Sequence, residues 1–388
     1  SDLGYSDYLG RLAVGKIFSG TARSNDALVR MGENGSHMPL KVSKLQVYEG
    51  MQLKDVDEVQ TGDIVVLAGI EDVKIGDTIC NQQSPQALPR IDVDEPTVSM
   101  TFSFNNSPLG GLEGRTIQFS RIRERLLKET LINVAIGVEN TEERDSILVM
   151  GRGEFQLAIL IETMRREGFE FCVGRPKVIY RYKNGEKLEP MERLMVDCEE
   201  RFLGVVTEKL SLRKGKMTNL VNNGKGRVLI EFSVPARALI GYRDEFLTDT
   251  RGTGIMNSLF DGYGDFRGEC PSRFTGSIVA DRKGTAIPYA LFNLEPRGRL
   301  FVEPGDPTYE GMIIGEHNRG QDINVNPCKE KKLTNMRASG KDDNVILSPI
   351  KPITLEQAIS FIRQDELVEV TPRSLRMRKT ILPANKRH

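Results

Sequence analysis

The chain has no run of about 18 apolar residues, so no stretch can cross a bilayer as a helix. It also lacks a charged leader followed by an apolar core and a small-residue cleavage site, so no secretory signal is expected. Both absences predict a cytoplasmic protein. Cysteine is sparse: Cys80, Cys172, Cys198, Cys270 and Cys328 stand singly, without the close pairs that a zinc site or a redox motif needs. They are expected to be free thiols, buried by default, and no metal is expected. Histidine is scarcer still, with only His37, His317 and His388. None lies near a Ser or Cys in a recognisable nucleophile motif, so no catalytic residue is assigned.

Charge of one sign is missing too. The 54 basic residues match the 54 acidic ones, so any polyanion-binding surface must come from uneven distribution. Residues 1–94 hold 9 Lys/Arg against 14 Asp/Glu, while 317–388 hold 14 against 8. The basic end is the carboxyl end.

At 388 residues the chain exceeds what one hydrophobic core supports, and four domains are expected. Over residues 1–93, β-type runs (Leu12–Phe18, Ala27–Met31, Leu40–Tyr48, Ile64–Ala68, Thr78–Cys80) alternate with turn residues, a cadence that predicts a small β-barrel. Residues 94–175 read strand, helix, strand, strand, helix, strand: Val98–Phe104, Thr116–Leu131, Val134–Glu139, Ser146–Met150, Glu154–Glu167 and Phe169–Val173. This βαββαβ order is that of a ferredoxin-like sandwich. Residues 176–263 repeat it, with a helix from Pro235 through Leu247, and 264–388 read as mostly β with one helix. The class is multi-domain α+β. Ser1 in place of an initiator Met, with a strand beginning almost at once, reads as a fragment.

Within Gly151–Tyr180, Leu157, Leu160, Ile161 and Met164 recur at helical spacing, which predicts one apolar stripe. Arg165 and Arg166 close that helix before Gly168, where they suit the dipole better than they suit RNA. Thr354 and Gln357 form a capping box for a helix with Leu355, Ile359 and Ile362 inward. Gly10-Arg-Leu-Ala-Val-Gly15-Lys16 imitates a phosphate loop, but Ile17 stands where a magnesium-binding hydroxyl is needed and no helix follows. Asp261-Gly-Tyr-Gly264 is a short pattern of little weight.

Basic clusters provide the candidate RNA-binding residues. Lys331, Lys332 and Arg337 supply three cations within seven residues, Thr334, Asn335 and Ser339 add short hydrogen-bonding groups, and Met336 can pack on a sugar or base. Arg213, Lys214 and Lys216 close a helix of the second sandwich, and Lys225-Gly226-Arg227 marks a hairpin. Arg376 and Arg378 share one strand face, where phosphate contact competes with protection of an edge strand by charge.

Gly151-Arg-Gly-Glu154 with Arg165-Arg166-Glu167-Gly168, then Gly204-Val205-Val206, Arg213-Lys214-Gly215 and Ile240-Gly241-Tyr242-Arg243, resemble domains III and V of elongation factor G. Residues 1–93 resemble its domain II. Lys331 to Ser339, Thr354-Leu355-Glu356-Gln357-Ala358 and Asp365 to Pro372 are similar to the C-terminal domain of the TypA/BipA translational GTPases. Phe155-Gln156 stands where that family would have Leu-His.

The resemblance implies a ribosome-bound factor for large-subunit assembly and stress-responsive translation, with a link to virulence regulation. It implies partners in large- and small-subunit rRNA, ribosomal proteins and A-site tRNA, no membrane, and a monomer. It also implies that GTP and magnesium belong to an N-terminal domain absent from this sequence, so this part holds no cofactor and should not hydrolyse GTP. The residues leave open a GTP-independent RNA chaperone or assembly factor. An unrecognised hydrolase would need a clustered nucleophile and base.

Overall fold

The computed structural model describes the chain except residues 7, 33–35, 51, 71–72, 91–94, 223, 225, 271–272, 274, 331–346 and 388. It divides into two compact units. The first comprises 1–96, 123–139 and 149–152, and the second 97–122, 140–148 and 153–388.

The first unit is built from short strands: β1 (Asp2–Ser6), β2 (Gly10–Lys16), β3 (Thr21–Arg23), β4 (Ala27–Met31), β5 (His37–Lys41), β6 (Lys44–Glu49), β7 (Gln52–Asp55), β8 (Glu58–Gln60), β9 (Ile64–Ala68) and β10 (Thr78–Asn81). They form a five-stranded sheet β1-β2-β9-β6-β7, a three-stranded sheet β10-β4-β5 and the pair β3-β8. Leu3, Ala13, Leu28, Val42, Leu45, Val65 and Ile70 make its core. The expected barrel is corrected: these are separate sheets, and the described residues contain no closed barrel.

Next come β11 (Val98–Ser103), α1 (Phe119–Ile132), β12 (Gly137–Asn140), β13 (Ser146–Gly151), α2 (Glu154–Arg166), β14 (Phe171–Val173), β15 (Lys177–Val178) and β16 (Arg181–Lys183). α2 buries Leu157, Ala158, Leu160, Ile161 and Met164, the stripe its spacing predicts.

The following segment holds β17 (Glu186–Glu199), α3 (Leu203–Leu212), β18 (Lys216–Asn222), β19 (Arg227–Pro235), α4 (Ala236–Leu239), α5 (Tyr242–Asp249) and β20 (Ile255–Asp265). The sheet runs β18-β19-β17-β20, antiparallel throughout, with β16 also on β17. Strict alternation explains its one dry face: Leu194, Val196 and Cys198 on β17 and Val228, Ile230, Phe232 and Val234 on β19 pack with Val206, Leu210, Tyr242 and Phe246. The single helix expected after Pro235 is two, broken by Gly241 in the left-handed region (φ 73°).

The last segment contains β21 (Gly276–Ala280), β22 (Gly284–Thr285), α6 (Pro288–Leu294), β23 (Gly298–Leu300), β24 (Pro307–Thr308), β25 (Met312–His317), β26 (Ile323–Val325), α7 (Leu355–Phe361), β27 (Glu366–Val370) and β28 (Leu375–Lys379). Two α-helices occur here among the described residues, not one. α6 starts at Pro288, whose fixed φ suits a first helical turn.

This segment is not separate from the region before 175. β14 pairs antiparallel with β27, Phe171 opposite Val370, and one sheet runs β11-β14-β27-β28-β25-β21-β26. Leu109, far upstream, joins the core of Ile278, Leu291, Tyr309 and Ile314.

Candidate nucleic-acid interface

The basic tract with Lys331, Lys332, Thr334, Asn335, Met336, Arg337 and Ser339 lies outside the described residues, as does Lys225. The structure therefore speaks to the other candidates.

Arg213 ends α3 and is committed internally. Its Nη1 donates to the Ala238 carbonyl at 2.9 Å, its Nη2 to Glu245 at 3.1 Å, and its guanidinium lies 5.2 Å from the Tyr242 ring centre. Gly215 follows because a Cβ there would sit 2.9 Å from the Leu210 carbonyl oxygen. Between them Lys214 takes a left-handed turn (φ 66°) and is exposed. Lys216 opens β18, whose seven residues are all exposed. Of this basic group, Lys214 and Lys216 present charge to solvent.

Arg376 and Arg378 are corrected. β28 lies between β27 and β25, so it is an interior strand and not a protected edge. Arg376 Nη1 donates to Glu113 at 2.8 Å and Nε to Glu369 at 3.1 Å. Arg378 is 2% exposed, with Nε 3.4 Å from Glu369 and Nη2 on the Asn106 side-chain oxygen. The Tyr309 hydroxyl donates to the same Glu369. Both arginines neutralise buried carboxylates, so neither faces a phosphate. Lys379, beside them, is likewise buried and bonds Asp365 at 2.7 Å and Glu366 at 2.9 Å.

The carboxylates that claim these cations carry no motif of their own. Two are nevertheless legible: the hairpin sets Glu369 opposite Arg376 and Glu366 opposite Lys379, opposite charges paired across strands. Glu113 is not, since only the folded chain brings it to Arg376. Burial pushes the Glu113 carboxyl upward, but the Thr371 hydrogen bond and the Arg376 guanidinium outweigh this and hold it below the usual range. Arg165 also works structurally, through Glu162 and the Thr371 carbonyl, and Arg166 pairs with Glu162.

Gly10 to Lys16 is strand β2, paired with β1 and β9, so its backbone serves a sheet and does not fit a nucleotide phosphate. Among the described residues no group of His, Cys, Asp and Glu could hold a metal ion, and no helix is long and apolar enough to cross a membrane. Cys172 and Cys198 are buried, while Cys80, Cys270 and Cys328 are half-buried.

The architecture is multi-domain α+β, and three family matches give its class, a protein carrying translation-factor domains. Residues 10–80 match the elongation factor Tu domain 2 model, 186–274 the elongation factor G C-terminus, and 275–384 the TypA/BipA C-terminal domain. The chain belongs to the TypA/BipA family. It is 47% identical over 377 residues to the large ribosomal subunit assembly factor BipA of Synechocystis sp., an alignment covering 97% of this chain and 63% of that protein. It is 46% identical over 388 residues to the proteins of that name from Salmonella typhimurium and Escherichia coli K12, covering all of this chain and 64% of each. The chain thus spans just under two thirds of the length of these relatives.

Proposed function

We propose that this chain is the ribosome-engaging part of a large-subunit assembly factor that works in the cytoplasm. The observation that carries the reading is the identity of 46–47% sustained along nearly the whole chain with factors of that name. The contacts assigned to it are with rRNA, ribosomal proteins and the acceptor end of A-site tRNA. The tract Lys331, Lys332, Thr334, Asn335, Met336, Arg337 and Ser339 and the exposed pair Lys214 and Lys216 supply them. Both βαββαβ runs are read as ferredoxin-like sandwiches that serve as scaffold. GTP hydrolysis with magnesium is assigned to a domain outside this sequence, and a role in stress-responsive translation and virulence to the intact protein.

Binding of the chain to purified large subunits, followed by sedimentation across a salt series, tests this. Phosphate neutralisation releases condensed counterions, so Lys331→Ala with Lys332→Ala should lower affinity and flatten the log–log salt slope by about one unit for each phosphate no longer neutralised. Lys214→Ala with Lys216→Ala tests the second group in the same way. Unchanged slopes in both double variants would remove these residues from the interface.

A further inference from the structure

Three helices of the second unit, α2, α5 and α7, meet around one carboxylate. Glu154 is the first residue of α2, ahead of both C-terminal family matches. It accepts a hydrogen bond from the backbone N–H of Gly241, at the start of α5 in the elongation factor G-type region. Gly241 in turn is pressed against α7 of the TypA/BipA-type region, where a Cβ would sit 2.9 Å from that of Ser360. α2 and α7 are themselves in contact, and Arg243 lies with its guanidinium 5.0 Å from the Phe155 ring centre.

This meeting point is rich in negative charge. Glu192 comes from β17, Asp244 from α5 and Glu356 from α7, each raising the cost of ionising Glu154. Of the nearby cations, Arg243 on α5 lies over the Phe155 ring, and Arg152 stands two residues earlier in the chain. The second carboxyl oxygen of Glu154 is buried without a hydrogen-bond partner. An ionised carboxylate would leave that oxygen charged and unsolvated, whereas the protonated acid leaves it neutral.

We propose that Glu154 is a proton-operated catch: protonated, it lets α2, α5 and α7 close on one another, and ionised, it loosens the joint between the three regions. The mechanism goes beyond the ribosome reading and does not depend on it. Burial, ahead of the facing carboxylates, pushes the Glu154 pKa up to about 7, against the lowering effect of the Gly241 N–H. Glu192 is also pushed upward, by burial, with Ser258 opposing. The sign follows from linkage. A carboxyl that holds its proton more tightly when folded adds stability that is complete below its unfolded pKa, near 4.5, and is lost as pH rises through about 7.

The experiment uses the full chain between pH 6 and 8. The thermal midpoint of the wild type should fall across this range, and the amides of Tyr242–Asp249 should exchange faster at pH 8 after correction for intrinsic rates. Glu154→Gln, which cannot ionise, should flatten both responses. Glu356→Gln, which removes a facing charge, should move the transition to lower pH. A wild-type pH response retained in Glu154→Gln overturns the proposal. If that variant fails to fold, carbon-detected titration of the wild-type Glu154 carboxyl decides: a midpoint near neutrality supports the catch, and one in the ordinary carboxylate range overturns it.

Discussion

Glu369 shows how much one buried side chain can hold. It is fully buried and is shared by Arg376, Arg378 and the Tyr309 hydroxyl. Removing it would strand two guanidinium groups in the interior, so Glu369→Ala should cost on the order of 3–5 kcal/mol, measured by urea denaturation. Glu113 carries a different signature. Its carboxyl is held below its ordinary value, so its contribution is present above the unfolded pKa and lost as pH falls through the folded one. Glu113→Gln should therefore make the acid limb of the stability curve shallower while leaving its slope near neutrality unchanged. At this scale the sequence is half legible. Arg376 and Arg378 sit on one face of a strand, as their spacing predicts, but an alternating strand looks alike at an edge and in a sheet interior. Only the neighbours β27 and β25 tell the two apart.

Elements with strong local signals follow from the sequence directly. The stripe of α2 and the capping box of α7 are short-range physics: Thr354 accepts from the Gln357 N–H, and the Gln357 side chain accepts from the Thr354 N–H. Thr354→Ala should lose about 1 kcal/mol, read as a lower urea midpoint with unchanged slope. The departures have tertiary causes. The helix expected from Pro235 to Leu247 breaks at Ile240 and Gly241, where Ile240 is extended and Gly241 left-handed (φ 73°), and the close approach of α7 leaves room there for glycine alone. No closed barrel is found among the described residues, because short strands fix spacing but not closure, and there β10-β4-β5 pair apart from β1-β2-β9-β6-β7. α6 stands beyond the one helix expected after residue 264, although Pro288 marks its first turn.

On the scale of the whole molecule, the shared sheet and the Glu113–Arg376 bond tie the 97–122 stretch to the carboxyl-terminal segment inside the second unit. That unit should therefore unfold in one cooperative step, with thermal and denaturant transitions coinciding for probes on α2 and on β25. Cys172 provides an internal reporter. It lies on β14 between Asn105 and Arg378, and burial, the dominant cause, raises its thiol to about 12 despite Arg378. A thiol reagent should modify it at the rate of global unfolding, while half-buried Cys270 and Cys328 react earlier.

The β14–β27 ladder also dictates an order of events during synthesis. Phe171 leaves the ribosome roughly two hundred residues before its partner Val370 exists. Until then the outer edge of β14 has no mate, and an apolar strand with open hydrogen-bonding groups invites the wrong neighbour. Maturation of the second unit must therefore wait until β27 has been synthesised, and a chain truncated before Glu366 would be left with a sticky, unfinished border.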